Sequence, residues 1–122
     1  MTPGPGPKMV VNMHSQPPSS EAWDAPGFSA TREELDDCIL IRVSGEVDMA
    51  TAGAFLAALA PDGGRPFVVD LSETTFMDST GLQALVAAHH QGAPIVLRRP
   101  SKMVRQCLAA TGLDDVFTID DD

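Results

Sequence analysis

The sequence predicts an α/β fold: a mixed, mostly parallel β-sheet with an antiparallel N-terminal pair and helices packed mainly on one face. Three observations carry that expectation. Apolar runs of strand length, Cys38-Ile39-Leu40-Ile41-Arg42-Val43, Phe67-Val68-Val69-Asp70-Leu71 and Ile95-Val96-Leu97-Arg98, alternate with stretches whose apolar residues recur every three to four positions. Stop signals separate them, at Pro61-Asp62-Gly63-Gly64, Gln91-Gly92-Ala93-Pro94 and Gly112. The first two strand candidates are joined only by Asp36-Asp37, which leaves room for a hairpin and none for a helix.

In chain order, residues 1–26 read as a disordered extension rich in Pro, Gly and Ser, and residues 27–120 as one folded domain. Trp23 is the odd residue of that extension, a stray aromatic or one that packs on the domain edge. Residues 28–35 alternate Phe28, Ala30 and Arg32 against Ser29 and Thr31, as a first strand would. The strand at residues 38–43 pairs with it. Ala52, Phe55, Leu56 and Leu59 give residues 51–59 one apolar helical face, with Asp48 capping the helix or standing just before it. Strand 67–71 then leads through a turn at Ser72-Glu73-Thr74-Thr75 and Phe76-Met77 into a helix carrying Leu82, Leu85, Val86 and His89. Ser79 is placed as its N-cap, with Thr80 and Gly81 in its first turn. Strand 95–98, a helix opened by Pro100-Ser101 with Met103, Val104, Cys107 and Leu108 on its buried side, and a last strand Val116-Phe117-Thr118-Ile119 complete the order. Single helices between strands imply right-handed parallel crossovers. Helices on one face leave the other to unusual exposure or to a partner.

The 122 residues carry 17 acidic and 8 basic side chains, a formal net charge of −9. That balance argues against nucleic acid or an anionic membrane as the main partner. No apolar run reaches the length of a bilayer span and no signal-peptide core is present, so the expected location is cytoplasmic. Cys38 and Cys107 read as buried free thiols, with a disulfide or a reactive thiol as the alternatives.

Most catalytic chemistries lack their residues. His14, His89 and His90 are the only histidines, and the adjacent pair would point about 100° apart on a helix. The expectation is no metal and no cofactor. No Gly-rich loop stands between a strand and a helix with a Lys-Ser or Lys-Thr pair. Ser79 as a nucleophile would need a histidine base, and His89 lies about 15 Å down the helix axis. A receiver-type phosphoacceptor at Asp70 lacks its acidic pair, because Asp36-Asp37 precedes its strand.

Ser79 as a target of modification fits better. Thr80 supplies an adjacent hydroxyl, Gly81 leaves the backbone bare for close approach, and Asp48 shares the rim where parallel strands end. A phosphoryl group there would add about −1.5 to −2 charges beside Asp78 and Asp48, at a helix N-terminus that favours anions. The expectation is a switch of the presented face with little refolding.

From residue 28 to residue 119 the chain resembles the STAS domains, and among them the small bacterial anti-sigma factor antagonists. The resemblance rests on Gly45-Glu46-Val47-Asp48, Val69-Asp70-Leu71-Ser72 and Phe76-Met77-Asp78-Ser79-Thr80-Gly81-Leu82, in order and at similar spacing, and on Arg99-Pro100-Ser101 and Gly112-Leu113 near the end. It implies a STAS-like single domain that is not an enzyme. It implies an antagonist that binds an anti-sigma factor that is also a serine kinase. That kinase switches the antagonist off by phosphorylating Ser79, and a PP2C-type phosphatase resets it. Glu46, Asp48, Asp78, Thr80, Gly81 and Leu82 would form the partner-binding site by the same resemblance. The alternative is a structural or regulatory subunit of a transporter or signalling scaffold. Many members carry a final helix with no counterpart after Ile119, which would expose apolar surface and favour weak self-association.

Overall fold

A computed structural model describes residues 20–61, 64–92 and 94–121. Its elements are β1 (Ser20–Ala25), β2 (Phe28–Glu34), β3 (Ile39–Val47), α1 (Ala52–Ala58), β4 (Phe67–Met77), α2 (Ser79–His90), β5 (Ile95–Arg98), α3 (Lys102–Thr111), a 3₁₀ turn at Leu113–Asp115 and β6 (Thr118–Asp120). One six-stranded sheet runs β1-β2-β3-β4-β5-β6, so every strand pairs with its sequence neighbour. The first two pairings are antiparallel and the last three parallel, each parallel pair bridged by a helix.

The core lies between the sheet and the helices that cover one of its faces. Ile39, Ile41 and Val43 of β3, Phe67, Val69 and Leu71 of β4, and Ile95 and Leu97 of β5 point into it. Phe55 and Leu59, Leu82 and Leu85, and Val104 and Leu108 meet them from the helices. The alternation of strand side chains sends Thr31, Arg42, Ser44 and Ser72 to the other face. That face is left in water by polar residues, with Arg42 3.8 Å from Glu33 and Arg99 2.8 Å from Asp70.

Arg32 is buried on the helix-covered face because α1 ends above it. Its Nη1 donates to the carbonyls of Ala58 at 3.0 Å and Ala60 at 2.6 Å, where the negative end of the helix lies. The guanidinium also stands 5.6 Å from the Phe67 ring centroid.

Four expectations need correction. Residues 20–25 are not disordered: they form β1, turning into β2 at Pro26-Gly27, where Gly27 supplies φ 74°. Trp23 stands opposite Ala30 and packs partly buried against the core, which a disordered extension would not allow. The expectation for residues 1–19 lies outside the described residues. Residues 72–75 are not a turn but part of β4, which stays in register with β3 by taking an extra residue at two places. At the second, Gly45 with φ 91° lets β3 pass against Gly27, whose carbonyl oxygen would be 2.0 Å from a Cβ there. On α1 the buried side is Phe55 and Ala58, with Leu59 at the C-cap, while Leu56 is exposed. The last strand begins at Thr118, two residues later than expected, since Leu113–Asp115 continues from α3 as a 3₁₀ turn.

Candidate functional site

The site is built where β3 and β4 leave the sheet together. Val47 is the register partner of Met77, and the Asp78 amide donates to the Val47 carbonyl at 3.1 Å. The loop that starts α1 and the first turn of α2 are thereby tied at one end of the sheet. Gly81 completes the joint: a Cβ there would lie 2.7 Å from Met77 Cγ and 2.8 Å from Val47 Cγ1. Only Gly lets α2 descend onto the two strand ends.

Asp78, not Ser79, is the N-cap of α2. Its backbone is extended, and its Oδ1 accepts from the Thr80 amide at 2.9 Å and the Gly81 amide at 3.3 Å. The same oxygen accepts a short hydrogen bond from the Thr80 hydroxyl. That hydroxyl bond, with help from the two amides and against the opposing effect of desolvation, holds the Asp78 carboxyl below its ordinary range. Ser79 is thereby displaced into the first helical position. It is exposed, and its hydroxyl has no hydrogen-bond partner among the described residues.

The α1 side is fixed in a similar way. Asp48 Oδ1 accepts from the Ala50 amide at 3.0 Å and the Thr51 amide at 3.2 Å. The Asp48 amide donates to Thr51 Oγ1 at 3.0 Å, and Thr51 Oγ1 donates to the Glu46 carbonyl at 2.8 Å. Asp48 therefore stands before the helix and shapes the turn, while Thr51 is the cap residue.

The structure thus brings the sequence-derived residues to one rim and divides them by exposure. Glu46 and Ser79 are exposed, and Asp48, Asp78 and Thr80 half-buried. Gly81 and Leu82 are buried and face inward. Two neighbours escaped the sequence reading. Met49 is 82% exposed, and Phe76, the register partner of Glu46, is 39% exposed. Both had been legible only as apolar residues, which the sequence pattern assigns to a core by default.

Other candidates lie elsewhere. Asp70 accepts from Arg99 Nη2 at 2.8 Å and from the Ser72 hydroxyl at 2.7 Å. Burial pushes its carboxyl up, but these bonds more than offset that and leave it below the ordinary range. The pair lines a groove of about 440 Å³ on the uncovered face with Ser29, Thr31, Arg42 and Ser44, further down the strands from Ser79. Cys38 and Cys107 are free and half-buried. Sγ of Cys107 donates to the Met77 carbonyl at 3.4 Å. His89 stacks edge-on against Phe117 at 5.6 Å and His90 is exposed. Among the described residues, no group of three or more His, Cys, Asp or Glu side chains converges as a metal site would require. No helix among them is long and apolar enough to cross a membrane.

Fold and site together define a small mixed-sheet α/β domain, half-covered by helices, with its accessible hydroxyl at the rim where the central parallel strands end. The chain belongs to the STAS domain family: the family model described as "Mlab, STAS domain" matches residues 30–119. An anti-sigma factor antagonist from Mycobacterium paratuberculosis is similar in structure, with a TM-score of 0.70 and 29% identity, over 82% of this chain and 92% of that one. The anti-sigma factor antagonist SpoIIAA in its unphosphorylated form shares the fold, with a TM-score of 0.62 and 20% identity, over 76% of this chain and 89% of that one.

Proposed function

We propose that this protein is an anti-sigma factor antagonist, binding an anti-sigma factor that is also a serine kinase and released from it by phosphorylation of Ser79. The observation that carries the reading is the state of that hydroxyl. It is exposed and without a hydrogen-bond partner among the described residues, on the first turn of a helix whose cap is supplied by Asp78. A serine held as the cap would have to leave its backbone partners to reach a kinase; this one does not. Thr80, whose hydroxyl is spent on Asp78, is the poorer acceptor.

The chain serves as substrate and binder, and the catalytic base, the metal and ATP belong to the kinase. A phosphate on Ser79 adds about −1.5 to −2 charges. The helix N-terminus accommodates it in the free protein. In a complex it must be desolvated beside Asp78 and Asp48, which weakens the interface without unfolding the domain. A PP2C-type phosphatase restores the binding form. The likeness to the mycobacterial antagonist supports this reading.

The test is binding of the parent protein, Ser79→Ala and Ser79→Asp to the purified serine-kinase anti-sigma factors of its own genome. Parent and Ser79→Ala should bind, and Ser79→Asp should bind more weakly. Equal binding by all three would point instead to a constitutive subunit of a larger assembly.

A further inference from the structure

Met49 has little to gain from its surroundings. It is 82% exposed, yet its backbone is fixed, because the Ala50 and Thr51 amides on its far side both donate to Asp48 Oδ1. Phe76 is 39% exposed on the last turns of the β4 ladder, where it pairs in register with Glu46. The described residues include five large apolar side chains that are exposed, Leu35, Met49, Leu56, Phe76 and Val116. Two of these five belong to the short segments that carry Asp48 and Ser79. They are thus pre-positioned apolar groups on rigid backbone, which lose little freedom when covered.

The segments that carry them are acidic. Glu46, Asp48 and Asp78 share the rim, and the sequence has no Lys or Arg between Arg42 and Arg65 or between Arg65 and Arg98. A nucleic acid or an anionic membrane would be repelled. The surface fits a protein with apolar clefts edged by Lys or Arg.

Resting on the functional reading above, we infer that Met49 and Phe76 are the anchors of the partner interface. They enter apolar clefts on a partner whose basic rim faces Glu46 and Asp48. The inference gives the switch its physical cause. A basic partner would attract a phosphate at its wet edge; an apolar contact around Ser79 rejects it, because the dianion cannot be desolvated there. The carboxylates set the rate and orientation of encounter, and the anchors set the lifetime of the complex.

The test uses the full chain and the same purified kinases, with affinity measured by calorimetry at low and high salt. Met49→Ser and Phe76→Ser should each weaken binding about tenfold or more at both salts. Met49→Leu and Phe76→Leu should largely retain it. Glu46→Gln should weaken it at low salt and much less at high salt. Leu35→Ser, exposed elsewhere, should bind like the parent. The loss caused by Ser79→Asp should persist at high salt, as desolvation demands and screened repulsion does not. Thermal melts confirm folding of each variant. If Met49→Ser and Phe76→Ser bind like the parent while Ser79→Asp does not, the anchors are refuted and the phosphorylation reading stands. If no kinase binds the parent protein, both fall.

Discussion

At the scale of single residues, the division of labour within Asp78-Ser79-Thr80 governs what each substitution does. Ser79→Ala removes no hydrogen bond of the described structure, so its melting temperature should match the parent's. Asp78→Ala removes the cap and should cost about 0.5–2 kcal/mol, read from denaturant midpoints. A larger loss for Ser79→Ala than for Asp78→Ala would reverse the assignment. The two carboxylates also set an acid limit. Asp70 and Asp78 are both held below the ordinary range in the fold. Their contribution is complete above the unfolded-state value of about 3.9 and is lost as pH falls through the lowered folded values. Stability should therefore decline below about pH 4, and Asp70→Asn should flatten that decline. A profile unchanged by Asp70→Asn would show that the Arg99 bond contributes nothing to it. The sequence placed Ser79 correctly at the start of a helix but assigned it the cap. Three capping residues in a row leave the choice open, and the bond from the Asp78 amide to Val47, a contact across 31 residues of chain, decides it.

At the scale of elements, the joint between β3, β4 and α2 depends on one missing side chain. Gly81→Val would press its Cβ on Met77 and Val47, and overpacking of this kind costs about 1–3 kcal/mol. The α2 first turn should shift with it, visible as changed amide shifts near Ser79. On α1, Phe55→Ala should cost about 3–5 kcal/mol, because Phe55 is fully buried. Leu56→Ala, on the exposed side, should stay within about 0.5 kcal/mol. Equal losses at Phe55 and Leu56 would contradict the orientation of the helix. Period-based reading identified α1, α2 and α3 and three of the four parallel-paired strands, those that begin at Ile39, Phe67 and Ile95. It failed where tertiary pairing overrides local pattern. The polar run Ser72-Glu73-Thr74-Thr75 has the composition of a turn, yet Thr74 donates to the Val43 carbonyl and the chain continues as strand. β1 is half polar and follows a Pro-rich stretch; Pro26-Gly27 between Ala25 and Phe28 was the one readable signal of its hairpin.

At the scale of the whole molecule, the sheet has a packed face and a wet one, and the rim that carries Ser79 lies at the end where both meet solvent. The fold class, the mixed topology and the one-sided helical cover were all legible, because they follow from the order and lengths of apolar runs. The apolar members of the rim were not, since exposure of Met49 and Phe76 is a property of the assembled sheet and not of their neighbours in sequence. A switch confined to this rim predicts that phosphorylated and unphosphorylated protein share one fold. Amide chemical-shift changes should be limited to residues 46–51 and 76–83, and changes spread across β1, β2 or α3 would indicate refolding.

The identity of the modified atom decides between a switch and a constitutive binder. The direct measurement is the intact mass of the protein after incubation with ATP, Mg²⁺ and the purified serine-kinase anti-sigma factors of its genome, with the site mapped by tandem mass spectrometry and Ser79→Ala run beside it. One phosphate is expected, on Ser79, and none on Ser79→Ala. An unmodified protein facing kinases shown to be active, or a phosphate on another residue that Ser79→Ala still receives, would contradict the switch at Ser79.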